Sequence, residues 1–361
     1  MFMLISRPES RIRVRSTKRL NAEGIRKISE QVGSFESIQR YERQNAPRRG
    51  KRTYSTVSII VLCIYIEISG LTYEGDISQN KLAAMGMPWE KGGYRRPSPA
   101  TISDFLNHRW PEILGPAEAE YVSSILDSLP EKRFTVDSTP MEASRYSRRY
   151  SYSPHYEIRM GKCHIIMCNG YPLVRTFTDA NDSDCLELRK LLEQLPDGIR
   201  GVREFTSDGG YPAFYNYSLV FSKLGVVMAS NPSVDSVFHE EVDLKRLKDA
   251  YASLWKESDF RPRISNGGML RYLIGKGKEE SVGVFLRNLD MRRGRRISAG
   301  YARRRHVCET VHRAMKRWMN FDVRGLRKES DEQRKSFKFF TAQILCTIFD
   351  PYYQPERFHR I

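Results

Sequence analysis

The chain has 361 residues, a formal net charge of +17 at pH 7 and a pI of about 9.6. Apolar residues make up 40% of it, enough for a folded core. The longest apolar stretch, Val57 to Ile66, stops at Glu67 after about ten residues, too short to cross a bilayer, and six scattered cysteines give neither a zinc spacing nor a disulfide framework, which argues against a membrane protein or a secreted disulfide scaffold and for a soluble cytoplasmic one.

A charge excess this large seeks polyanions, because each Lys or Arg placed on a phosphate releases condensed counterions; an anionic membrane surface would satisfy the same charge. The excess sits in two segments. Residues 1–52 hold 14 Lys or Arg against 5 Glu, and Asp290 to Arg317 holds ten basic residues against Asp290 and Glu309. A single run is commonly a solvated face; two in one basic chain favour nucleic acid.

In chain order, residues 1–52 read as a basic, partly disordered arm with a short helix over Asn21 to Val32. Tyr54 to Ile68, rich in Val and Ile without internal Gly or Pro, reads as a buried helix. Two short helices, Asp76 to Met85 and Ser98 to His108, follow around a Gly- and Arg-rich link, the second opened by Ser98-Pro99. Residues 53–125 are thus expected to form a small helical domain that resembles a helix-turn-helix DNA-binding unit.

From about residue 130 strands alternate with helices. Arg133 to Asp137, Cys163 to Cys168 and Leu173 to Thr178 read as strands, the last two around the turn Asn169-Gly170. Asp184 to Leu195 reads as an amphipathic helix capped by Ser183, Glu204 to Ser207 as a strand, Ala213 to Leu224 as a helix stopped by Gly225, and Val226 to Ala229 as a strand. That order is the one of a ribonuclease-H-like α/β fold, a mixed sheet flanked by helices, over 130–350. An insertion of about 231–296 is expected to hold a helix, Leu244 to Trp255, and some strand. A long helix, Ala299 to Met319, and an apolar one, Phe337 to Phe349, close the chain.

Three carboxylates stand where such a sheet gathers them. Asp137 ends the first strand, Asp208 ends the fourth ahead of Gly209-Gly210, and Glu309 lies on the long helix after the insertion. Packed together they repel unless a counter-cation is bound. Two Mg²⁺ ions, with Mn²⁺ able to substitute, satisfy hard oxygen donors and serve phosphodiester chemistry, one activating the nucleophile and one the leaving oxygen. At 100° per residue, Arg305 falls about 40° behind Glu309 and Lys316 about 20° behind it. One helix face then carries Arg305, Glu309 and Lys316, flanked by His312 and Arg313, with Val307, Val311, Ala314, Met315 and Trp318 on the packing side. The same pattern also suits a surface helix with i, i+4 charge pairs. His155 and His164 read as strand-end or core histidines rather than metal ligands, and Tyr146, Tyr150, Tyr152 and Trp318 adjoin basic residues, where aromatics either pack or stack on unpaired bases.

Taken together, Val136-Asp137-Ser138-Thr139, Ser207-Asp208-Gly209-Gly210-Tyr211 and Arg305-x3-Glu309-x6-Lys316 resemble the DDE transposases of bacterial and archaeal insertion sequences. The last element is similar to that family's tyrosine-arginine-glutamate-lysine signature. Tyr156, Lys162, His164, Pro172 and Thr178 to Asp184 resemble the segment those enzymes carry between their first two aspartates. The signature's tyrosine position falls on Ala302; Tyr301 fits only if Arg304 is its arginine, which lengthens the spacing to Glu309 by one.

The resemblance implies a catalytic and metal-binding triad of Asp137, Asp208 and Glu309. It implies DNA contacts from Tyr301, Arg304, Arg305, Arg313 and Lys316, and an insertion that helps hold the cleaved DNA end. Its partners are double-stranded element ends and target DNA, met as a homodimer in a paired-end complex, in the prokaryotic cytoplasm at the nucleoid. A catalytically inactive or repurposed DNA-binding descendant, and a structure-selective nuclease on the same fold, are the alternatives.

Overall fold

The computed structural model describes residues 22–45, 54–69, 97–143, 150–230, 242–255, 265–319, 321 and 328–349. Inside its long helix the side chains at 293–307, 310, 314 and 317–319 lie outside that description.

The helices of the N-terminal third are α1 (Ala22–Ser34), α2 (Glu36–Gln44), α3 (Thr56–Ser69), α4 (Pro99–Asp104) and α5 (Trp110–Ser128). α2 falls in a segment expected to be loosely ordered. Ile38 is fully buried there, and Glu120 of α5 accepts from the backbone N–H groups of Glu36 and Ser37 at the first turn of α2, at 2.8 and 3.0 Å. α3 is apolar on every side and buried accordingly, with Ile59 to Ile66 at most 5% exposed. α4 opens as read from the sequence: Ser98 caps it by accepting from the Thr101 N–H at 3.1 Å, with Pro99 next. It does not stop near His108. A π-helical turn, Phe105–Arg109, carries it into α5, because Ile102, Phe105 and Trp110 are all drawn into the core. The helix expected over Asp76 to Met85 lies outside the described residues, and with it the first half of the expected helix-turn-helix.

The sheet comprises β1 (Lys132–Glu142), β2 (Tyr152–Ser153), β3 (Ile158–Cys168), β4 (Tyr171–Asp179), β5 (Val202–Ser207) and β6 (Met228–Ser230). β3 lies antiparallel between β1 and β4, with β2 pairing its first residues; β5 and β6 run parallel to β1 on the other side. The parallel crossovers are helical, α6 (Asp184–Glu193) and α7 (Phe214–Leu224), as parallel strands require. Gly225, at φ +75°, ends α7 in the left-handed conformation that stops a helix without a Cβ penalty. This mixed sheet flanked by helices is compatible with the ribonuclease-H-like arrangement expected from the order of elements. β1 and β3 are longer than expected, so Asp137 lies inside β1 rather than at its end.

Past β6 come α8 (Leu244–Trp255), α9 (Asn266–Gly275), α10 (Glu279–Met319) and α11 (Lys328–Phe349). α10 begins twenty residues before the expected Ala299, and the described residues of 231–296 form helices and their connections, without strand. The early start has a packing cause. Val282 and Leu286 are buried, and the backbone at Gly283 lies against the carbonyl of Phe214 on α7. Tyr217 of α7, Ser230 of β6 and Asp290 of α10 form a buried hydrogen-bonded group, with Asp290 Oδ2 accepting from the Tyr217 hydroxyl at 2.8 Å and the Ser230 N–H at 3.0 Å.

α11 joins the N-terminal helices to the sheet. Trp110 lies edge-on to Phe337 and Phe340, with centroids 5.0 Å apart in each pair, and Phe35 stands 5.7 Å from Phe340. One buried apolar cluster thus runs from Ile25 to Leu345. All six cysteines are free thiols. Among the described residues no helix is long and apolar enough to cross a membrane.

Candidate active site

The parallel register of β1 with β5 sets Thr135 opposite Thr206 and Val136 opposite Ser207. Continued one step, that register would set Asp137 on β1 opposite Asp208, the first residue past β5, and both carboxylates act on the buried Tyr211 phenol. The two aspartates are held alike. Asp137 Oδ1 accepts from the Ser138 N–H at 2.9 Å, and Asp208 Oδ1 accepts from the Gly209 N–H at 2.6 Å. Asp137 is buried, 5% exposed, whereas Asp208 is half-buried where β5 gives way to the turn. The Tyr211 N–H closes that turn onto the Asp208 carbonyl at 3.2 Å.

Tyr211 reports the crowding of charge. Its buried phenol is pushed well above the usual range, first by burial and then by the carboxylates of Asp184, Asp137 and Asp208. Its hydroxyl shares a 2.8 Å hydrogen bond with Nδ1 of His164, whose Nε2 pairs with Thr178 Oγ1 at 2.9 Å. His164 is fully buried, the core histidine expected, and burial pulls its pKa down. Asp184, at the head of α6, accepts from Ser138 Oγ at 2.8 Å and from Lys162 Nζ at 2.7 Å.

α10 reaches this place from above β1. In its second half the buried positions among the described residues are Cys308, Val311, His312 and Met315, at the i, i+3, i+4, i+7 spacing of one helix face. His312 therefore faces inward, not flanking the polar side as the sequence suggested, and its Nδ1 lies 3.8 Å from Asp137 Oδ2. Glu309 and Arg313 are exposed on the same helix and Lys316 is half-buried. Glu309 precedes His312 by three residues, so it shares the turn of α10 that meets Asp137. Among the described residues no three His, Cys, Asp or Glu side chains converge closely enough to hold a metal, so Glu309 is not gathered with the aspartates into one ligand cluster. Tyr301, Arg304 and Arg305 fall on α10, but their side chains lie outside the described residues.

Of the aromatic candidates, Tyr150 is buried with Lys335 Nζ 5.4 Å from its ring centroid, and Tyr152 is half exposed. Tyr146 and the Trp318 side chain lie outside the described residues. His155 and Tyr156 sit exposed on the turn between β2 and β3. Sequence reasoning passed over Asp184 and Tyr211 as members of the site. The only signal for Asp184 was its place at the end of the run from Thr178.

A mixed sheet flanked by helices, with Asp137 on β1, Asp208 just past β5 and α10 packed on β1, is compatible with the class of ribonuclease-H-like domains. The family model of the transposase DDE domain matches residues 129–345, more than half of the chain, and the chain belongs to that family. No curated protein and no solved structure matches it. Transposases of this family act on DNA and generally use divalent metals.

Proposed function

We propose that the chain is an active transposase of the insertion-sequence type, which cuts DNA at element ends and joins the freed 3′-hydroxyl to target DNA. The nearness of Asp137 on β1 to Asp208 just past β5, both acting on the buried Tyr211 phenol, supports this reading. Neighbouring carboxylates repel and favour a counter-cation, and their hard oxygens suit Mg²⁺, with Mn²⁺ as a substitute. Asp137 and Asp208 would hold it, with Glu309, which stands apart from them in this structure, as the proposed third ligand. When bound, such ions supply Lewis-acid activation of the attacking and leaving oxygens.

The protein's own residues do the rest. The N–H groups of Ser138 and Gly209 fix one oxygen of each aspartate, which sets the direction in which the carboxylates present the other. Lys316, half-buried near His312, puts a positive charge where a strand phosphate would approach Asp137. Arg313, Arg304 and Arg305 extend that charge along α10 for the strand, and Tyr301 stands one turn earlier. The basic residues of 1–52 and the helices of 53–125 add sequence-independent and end-specific contacts. A paired-end homodimer at the nucleoid of a prokaryotic cytoplasm completes the reading.

Joining is tested by incubating pre-cleaved element ends with plasmid target and Mg²⁺. Strand-transfer product from the wild type, absent with Asp137→Ala, Asp208→Ala and Glu309→Ala while each variant still shifts the DNA, is the expected result. Product from all three variants would remove the triad.

A further inference from the structure

We infer that Asp184 is a positioning residue that braces the two aspartate-bearing strands against each other, an inference that rests on Asp137 and Asp208 being the acidic pair. An aspartate in the first turn of a helix is ordinarily explained by the helix dipole and faces water. Asp184 does not: its side chain is 16% exposed and touches three other segments. Oδ2 accepts from the hydroxyl of Ser138, the residue after Asp137 on β1. Oδ1 accepts from Lys162 Nζ on β3, and that amine also donates to the Asp182 carbonyl at 2.8 Å. On the third side Gly210, two residues after Asp208, passes so close that a Cβ there would stand 3.0 Å from Asp184 Oδ2.

One carboxylate therefore meets the neighbours of both aspartates. A second tie runs between the same segments, since Asn216 Nδ2 donates to the Cys185 carbonyl at 2.9 Å and to the Tyr211 carbonyl at 2.7 Å. With both oxygens engaged, Asp184 is a brace and not a further ligand. Lys162 neutralises it, so the brace adds little repulsion to the pair it holds. The spacing of Asp137 and Asp208 then depends on a residue that touches neither DNA nor metal.

The test uses the full chain, with metal binding measured in the absence of DNA. Mn²⁺ binding is followed by electron paramagnetic resonance for wild type, Asp184→Ala, Asp184→Asn and Ser138→Ala, beside thermal melting and single-turnover cleavage of element ends. The brace predicts Mn²⁺ affinity lowered about ten- to a hundredfold in both Asp184 variants, with cleavage falling in step and DNA affinity unchanged. Ser138→Ala removes one hydroxyl from the sheet surface and keeps the fold, and it is expected to lose affinity less steeply. Wild-type Mn²⁺ affinity in Ser138→Ala together with either Asp184 variant would overturn the brace while leaving the proposed function standing. A wild-type protein that takes up no Mn²⁺ overturns the proposed function, and the brace with it.

Discussion

Nδ1 of His312 on α10 stands 3.8 Å from Oδ2 of Asp137 on β1, both side chains less than a tenth exposed. The contact is not an ion pair. Burial, reinforced by Lys316 and His164, pulls the His312 pKa down to about 3, so the ring is neutral at pH 7. Its Nε2 is buried without a hydrogen-bond partner among the described residues. A neutral imidazole lets α10 lie on the acidic pair without bringing a fixed charge into the core.

That neutrality makes stability depend on pH. An unfolded histidine titrates near 6.5, so between 6.5 and about 3 the unfolded state binds the proton that folded His312 refuses. The contribution is whole above 6.5 and is lost as pH falls, by about 1.4 kcal/mol per unit. His164, lowered in the same direction, adds to the slope. Urea midpoints measured at pH 7 and pH 5 should therefore fall steeply for the wild type and less for His312→Gln. Equal slopes would mean that His312 is not held neutral.

Gly283 gives a prediction whose sign runs against helix propensity. Glycine to alanine inside a helix ordinarily gains about 1 kcal/mol. Here a Cβ would lie 2.7 Å from the carbonyl carbon of Phe214, whose backbone cannot yield as a side-chain tip can. Gly283→Ala is expected to cost about 2 kcal/mol and to push α10 away from α7. A chemical denaturation curve decides the sign; a stabilised variant would show that the two helices do not touch there.

Arg175 of β4 pairs with Glu118 of α5, and its guanidinium lies 4.7 Å from the Phe339 ring centroid on α11. Burial raises the Glu118 pKa even with Arg175 beside it, so the pair is held in a dry place where α5, the sheet and α11 meet. Glu118→Ala strands the arginine and should cost about 3 kcal/mol. Loss of less than 1 kcal/mol in urea unfolding would place the pair in water, where such bridges contribute little.

Much of the sheet was legible because its signals are local. The Asn169-Gly170 turn marks the β3–β4 hairpin, and Asn169 does adopt a positive φ of 50° there. Gly225 marks the end of α7 and Ser98-Pro99 the start of α4. What was not legible depends on distant partners. The extension of α4 into α5 follows from Trp110 meeting Phe337, more than two hundred positions away. The early start of α10 follows from contacts of Gly283 and Asp290 with α7 and β6. In the site, Asp208 carries a Gly-Gly signal at the end of β5, whereas Asp137 was read at a strand end and lies inside the longer β1. Asp184 and His312 become visible only once Ser138, Lys162 and Asp137 are placed around them.

The most direct measurement is metal-dependent cleavage of DNA carrying the inverted repeats that flank the gene, wild type beside Asp208→Ala. The account predicts cutting at the repeat ends by the wild type with Mg²⁺ or Mn²⁺, and none by the variant, with equal DNA binding. Binding without cutting by both proteins would contradict it and leave a DNA-binding member of the family whose carboxylates no longer work.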